Sequence, residues 1–260
     1  MRLLQLVLIV GAVVAAQGAS AQSFNGGLPA GWTTFGTAGT SGANGVVGLS
    51  PSVGSTAYGW VSTNNSASTA GYNLGGETNG SRLRSNVFSA TTGDALKFYF
   101  DYVTSDGSGF ADYSYANLLN ASDSSIAAVL FNARTEPSGT IAPGLGLPNP
   151  VATLVPASVP IISGGPSWAP LGTSSGTCYS AGCGYTGWIK SSFAIAAGGS
   201  YMLEFGVTNW NDEGYQSGLA FDGITVAGVP ITPAVPEPST YALLLVGLGA
   251  VGAIARSRRG

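Results

Sequence analysis

The sequence predicts an all-β protein, a jelly-roll-like β-sandwich set between two apolar ends, and three observations carry that expectation. Apolar and polar residues alternate with a period of two in segment after segment along the middle of the chain. Clusters of Gly, Asn, Asp and Ser separate most of these segments, and 40 of the 260 residues are glycine. Charge is scarce, at 8% of residues, where an ordinary cytosolic enzyme carries about a quarter.

The first element is the N-terminal segment. Arg2 supplies a positive start, and residues 3–16 are apolar apart from Gln5 and Gly11. Ala19-Ser20-Ala21 has the small-x-small form that signal peptidase cleaves. Residues 1–21 therefore read as a signal peptide, with Ala19 and Ala21 at the cleavage site and Gln22 as the mature N-terminus.

The body, residues 22–231, carries the alternation. Strands are expected at 32–36, 56–62, 82–89, 95–103, 114–120, 125–132, 188–195, 201–208 and 219–226. Leu96, Phe98, Phe100 and Tyr102 share one face of their segment, and Tyr201, Leu203, Phe205 and Val207 share one face of theirs. Segment 125–132 is apolar on both faces, which predicts a central strand. In 219–226, Leu219 and Phe221 fall out of phase with Ile224 and Val226, so a bulge is expected at Asp222-Gly223. Residues 133–182 break the rhythm. Eight of the 14 prolines lie there, which rules out a central strand and predicts a long excursion over one end of the sandwich.

The last element, residues 232–260, has three parts. Pro236-Glu237-Pro238 is followed by an uncharged apolar run, 241–255, and then by Arg256, Arg258 and Arg259. As a helix the run spans roughly 22 Å, enough to cross a locally thinned bilayer with snorkelling arginines. The arginines place the C-terminus in the cytoplasm and the body outside it.

This tail resembles the PEP-CTERM sorting signal of Gram-negative bacteria, through Pro236-Glu237-Pro238, the apolar run and the basic cluster, in that order. The resemblance covers the last 25 or so residues. It implies recognition by an exosortase and an exopolysaccharide or biofilm setting, with transient anchoring by 241–255 before delivery to the surface or matrix. The body in turn looks like a PEP-CTERM-associated jelly-roll domain, through four motifs. These are residues 24–32 (FNGGLPAGW), 110–113 (FADY), 182–188 (GCGYTGW) and 219–224 (LAFDGI). No molecular activity comes with that likeness.

Composition narrows the chemistry. Residues 22–235 hold five basic residues (Arg82, Arg84, Lys97, Arg134 and Lys190) against eleven acidic ones, a net charge of −6, which disfavours nucleic acid as a partner. The chain has no histidine, which removes Ser-His-Asp and Cys-His catalysis. Cys178 and Cys183, the only cysteines, are expected to form a disulfide in an exported chain, pinning the end of the excursion to segment 188–195. Asp222, at the expected bulge among apolar neighbours, reads either as turn chemistry or as a calcium ligand, and no other cofactor is expected. Trp168, Trp188 and Trp210 are candidates for a glycan platform, against burial at the rim.

The expected function is that of a non-catalytic surface or matrix protein with glycan, such as exopolysaccharide, as its candidate ligand. The alternative is a secreted carbohydrate-active enzyme using carboxylates among Asp101, Asp106, Asp112, Glu204, Asp212, Glu213 and Asp222.

Overall fold

A computed structural model describes residues 24–231. Ala19 and Ala21, expected to mark a cleavage site, and the whole of 232–260, including Pro236, Glu237, Pro238 and the three arginines, lie outside the described residues. Among the described residues no helix is long and apolar enough to cross a membrane.

The chain runs β1 (Thr33–Phe35), β2 (Thr37–Ser41), β3 (Tyr58–Ser62), β4 (Glu77–Arg84), β5 (Phe88–Ala90) and β6 (Ala95–Thr104). It continues through β7 (Tyr113–Asn120), β8 (Ile126–Arg134), β9 (Thr140–Ala142), β10 (Thr153–Val155), β11 (Val159–Pro160) and β12 (Ile162–Ser163). A 3₁₀ turn at Ala169–Ser174 precedes β13 (Gly184–Tyr185), β14 (Ile189–Ala194), β15 (Gly199–Trp210), β16 (Ser217–Val226) and β17 (Val229–Pro230). The first sheet has the order β1-β4-β15-β7-β8, with β5 also on β15. The second has the order β10-β14-β6-β16-β3-β2, with β13 on the last residues of β6, β12 on β13, and β17 on the last residues of β16. The protein is thus all-β, a sandwich of two antiparallel sheets.

The alternation decides what lies between them. Phe98, Phe100 and Leu96 of β6 face Leu203, Phe205 and Val207 of β15, all of them buried. Phe205 stacks on Phe221 of β16 with centroids 4.0 Å apart and Phe98 meets Phe205 edge-on, so aromatic rings tie one sheet to the other. The outer faces are covered as well. Val103 and Ala220 lie under Tyr58, Val47, Trp168 and Leu171, and Tyr113 and Tyr115 lie under Tyr72, Leu147 and Trp210.

The bulge is where the phase break puts it. β16 shifts register against β6 between Asp222 and Thr225, Gly223 has a φ of +68°, and Leu219, Phe221, Ile224 and Val226 are all buried. Three expectations are corrected. The stretch 82–89 is two strands, because β4 and β5 pair successive parts of β15 and Ser85 between them accepts the Leu203 N–H through its hydroxyl, at 2.9 Å. β2 was missed, since TAGTS shows no apolar alternation; it packs through Gly39, where an added Cβ would stand 2.6 Å from the Trp60 ring. β8, expected to be central, is the edge of its sheet.

The excursion explains that edge. Val151 N–H donates to Val129 O at 2.9 Å, Asn132 donates through its amide to Pro148 O, and Gly144 N–H donates to Asn132 Oδ1 at 2.7 Å. The proline-rich segment therefore covers the edge of β8 from Val129 onward, and only its last part, around Tyr179, reaches one end of the sandwich. It also supplies β10 as the outermost strand of the second sheet, a position that prolines tolerate.

Candidate functional site

One end of the inter-sheet space is polar, and strand register builds it. β15 and β7 pair with Thr208 opposite Tyr113, so Asn209 falls opposite Asp112 one step further on. Tyr113 and Trp210 pack on the outer face, and Asn209 follows the inward parity of Leu203, Phe205 and Val207. The Trp210 N–H donates to Asp112 Oδ1 at 2.8 Å. From the second sheet, Ser217 of β16 lies opposite Thr104 of β6. The Ser217 hydroxyl lies 2.6 Å from Asp112 Oδ2 and 2.7 Å from Thr104 Oγ1. Thr104 Oγ1 accepts the Asp106 N–H at 3.1 Å, and Gly107 N–H donates to Asp106 Oδ1 at 2.6 Å. Tyr102 Oη donates to Asp112 O at 2.9 Å and closes the floor. Asp106, Asp112 and Asn209 are each at most 1% exposed.

The electrostatics follow from that burial. Asp106 is pushed up to about 7 by desolvation, with the charge of Asp212 adding to the push and the Gly107 N–H opposing it. Asp112 is held well above the carboxylate range by burial first and then by the charge of Asp106, against the Ser217 hydroxyl and the Trp210 N–H. Asp106 Oδ2 and Asn209 Oδ1 have no hydrogen-bond partner. Arg134, from the same region, is committed to the outer face. Its Nε donates to Ala111 O at 3.1 Å and its guanidinium lies 4.5 Å from the Trp210 ring centroid.

The rim of this end is aromatic. Tyr179 (50% exposed) and Tyr215 (40% exposed) lie with ring centroids 5.0 Å apart, and Phe110 meets Tyr179 at 5.5 Å. Cys178 and Cys183 form a disulfide around Tyr179. Its loop is fixed to the segment after β6 by Tyr179 N–H to Ser105 O at 3.0 Å and Ser108 N–H to Ala181 O at 2.9 Å. The crosslink thus braces the acidic loop, where segment 188–195 was expected, because the chain enters β13 directly after Cys183 and β13 pairs with β6.

The other candidates scatter. Trp168 is fully buried and its indole N–H donates to Tyr58 Oη at 3.0 Å, so it offers no ring face to solvent. Trp188 is partly exposed and donates to Gly48 O at 3.1 Å, and Trp210 lies beneath Arg134, so the three tryptophans form no common platform. Asp222 is buried at the bulge and takes the Ser50 hydroxyl on Oδ2, with Ser55 and the Gly223 N–H also facing it. Burial raises it above the usual carboxylate range. Among the described residues no group of three His, Cys, Asp or Glu side chains is placed to hold a metal, at Asp222 or elsewhere. Glu204 is paired with Arg84 at 2.6 Å, and Asp101 is buried under Thr186. Asn209 was not anticipated. The parity of 203, 205 and 207 extended by one step points to it, but its partner becomes visible only once register is known.

A class can be assigned at the C-terminal end. Residues 234–259 match the PEP-CTERM protein-sorting motif. The chain carries that sorting signal, which implies export and recognition by an exosortase. No curated protein sequence matches the chain. Among solved structures it is similar to the K1 cleaved adhesin domain of Lys-gingipain from Porphyromonas gingivalis W83, at 11% identity and a TM-score of 0.38, over 77% of this chain and 92% of that one. It is also similar to the K3 cleaved adhesin domain of the same protein, at 14% identity and a TM-score of 0.37, over 80% and 95%.

Proposed function

We propose that this chain is an exported surface or extracellular-matrix protein whose tail is cut or exchanged by an exosortase and whose body is non-catalytic. Residues 1–21 act as signal peptide, 22–231 as a jelly-roll-like body, and 232–260 as sorting tail with 241–255 as its membrane segment. The match of residues 234–259 to the sorting motif carries the reading. The jelly-roll description rests on the chain's repeated crossing between the sheets, four long strands to a side in the orders β4-β15-β7-β8 and β3-β16-β6-β14. The non-catalytic description rests on the missing histidine and on the fate of the carboxylates. Asp101, Asp106, Asp112 and Asp222 are buried and Glu204 is ion-paired, so none of these five is presented across an open cleft as glycoside hydrolysis requires.

The tail is tested directly. Two prolines around Glu237 are incompatible with a helix interior or a central strand, which suits a sequence that a protease is to read. Pro236→Ala with Glu237→Ala leaves export intact and the full-length chain in the membrane fraction. Wild type loses its last ~20 residues and moves to the surface or matrix, since the cut precedes a membrane segment of about that length. Identical processing of the two chains would show that 236–238 is a spacer.

For the body, the ligand class that the surface favours is glycan, on Phe110, Tyr179 and Tyr215. Two exposed phenol rings in contact offer apolar faces with polar tips, beside the half-exposed Asp212 and the exposed Glu213. On a glycan array, Tyr179→Ala with Tyr215→Ala lowers retention of any bound sugar at least ~10-fold, because losing two stacking faces removes more than about 1.4 kcal/mol. Equal binding by the variant would discard this surface.

A further inference from the structure

The polar end of the sandwich holds two buried carboxylates against each other with no cation committed to either. Among the described residues the ion pairs are those of Arg82 and Arg84 with Glu204, on a different face. Arg134, the basic side chain of this end, points its charge at Trp210. Burying one unpaired carboxylate is costly, and burying two beside each other more so. An amide oxygen of Asn209 and a carboxylate oxygen of Asp106 are also left without a hydrogen. The four segments that carry these atoms are brought together by register: 104–107 from the second sheet, 112 from the start of β7, 209 from the end of β15 and 217 from the start of β16.

Two buried carboxylates whose charges act on each other, with Asp106 Oδ2 and Asn209 Oδ1 accepting no hydrogen, match the needs of a hard divalent cation. Calcium takes six to eight oxygens, among them carboxylates, Asn amide oxygens, backbone carbonyls and water, so a site need not contain three carboxylates. We propose that Asp106, Asp112 and Asn209 bind a calcium-class cation between the two sheets, with the half-exposed Asp212 at its mouth. The cation would clamp the loops after β6 and before β7 to the ends of β15 and β16. Asp222, the carboxylate first considered for calcium, lies opposite Tyr99, five residues along β6 from Thr104, and takes no part.

The test uses the full chain in detergent micelles, stripped with chelator and titrated with Ca²⁺ alone. At calcium about a hundredfold above Kd, Tm rises by about 5–10 °C in wild type. Tb³⁺ in place of Ca²⁺ gives luminescence sensitised by Tyr102, whose hydroxyl reaches Asp112 O. Asp106→Asn keeps an acceptor for the Gly107 N–H and removes one charge from an oxygen that has no partner, so the chain folds. It loses the calcium-dependent rise and the Tb³⁺ signal, while Asp222→Asn keeps both. Two results would overturn the proposal. One is a wild-type Tm that ignores millimolar calcium. The other is Asp106→Asn more stable than wild type with the calcium response unchanged, which would mean that the two acids are simply held protonated.

Discussion

At the scale of single residues, burial sets the chemistry. Asp101 lies on the outer face of β6 at 1% exposure, with Thr186 Oγ1 at 3.1 Å from Oδ1 and the Thr186 and Gly187 N–H groups nearby. Desolvation outweighs these donors and moves the group from 3.8 to about 7. The folded state therefore binds the proton more tightly than the unfolded chain does. The stability this group contributes is complete below about pH 4 and is lost as pH rises towards 7, after which the slope vanishes. Asp101→Asn should flatten that part of the profile in urea unfolding run from pH 4 to 8, since the amide oxygen still accepts from Thr186. Parallel profiles for variant and wild type would show that Asp101 does not titrate in this range. Asp101 was legible in the sequence as an alternating residue of segment 95–103, on the face away from Phe100. Its burial was not legible, because the residues that cover it, Thr186 and Gly187, arrive from 85 residues and more further along the chain.

At the scale of elements, the strands with long apolar alternation were readable and those fixed by a neighbour were not. β6, β15 and β16 carry their own periodicity, and the bulge in β16 shows as a slip of phase. β8 was misplaced because two apolar faces signal burial without saying what does the burying. Here half of it comes from the proline-rich excursion. Asn132 holds that cover, with its amide on Pro148 O and its carbonyl on the Gly144 N–H, and it is fully buried. Asn132→Ala leaves two backbone groups without partners and should cost about 2–4 kcal/mol. Limited proteolysis should cut the variant within 140–160 before any site in β15 or β16. Unchanged protection of the excursion would mean that the Val151–Val129 bond and packing suffice to hold it.

At the scale of the whole molecule, a chain poor in charge is made compact by covering both faces of both sheets. Only the inter-sheet core was foreseeable, because it is drawn from the alternating strands themselves. The outer layers, built on Tyr58 with Trp168 and on Tyr72 with Tyr113, come from loops whose paths have no periodicity to read. The acidic end was half visible. Asp106 and Asp112 stood out as loop carboxylates, but Asn209 joined them only through register.

β16 lies between β6 and β3, yet among the described residues it is the last long strand to be made. Until residues 217–226 emerge, β6 and β3 have no partner along their facing sides, and Phe205 has no Phe221 to stack on. A chain that is threaded out N-terminus first cannot close this sheet early, and one that stops short of Ser217 is left with two open strand edges that invite aggregation or proteolysis. The sorting motif begins at residue 234, only eight residues after β16 ends at Val226. Completion of the sheet and arrival of the sorting motif are therefore nearly simultaneous, and an enzyme that acts on the motif meets, by the order of synthesis alone, a body whose described strands have all been made.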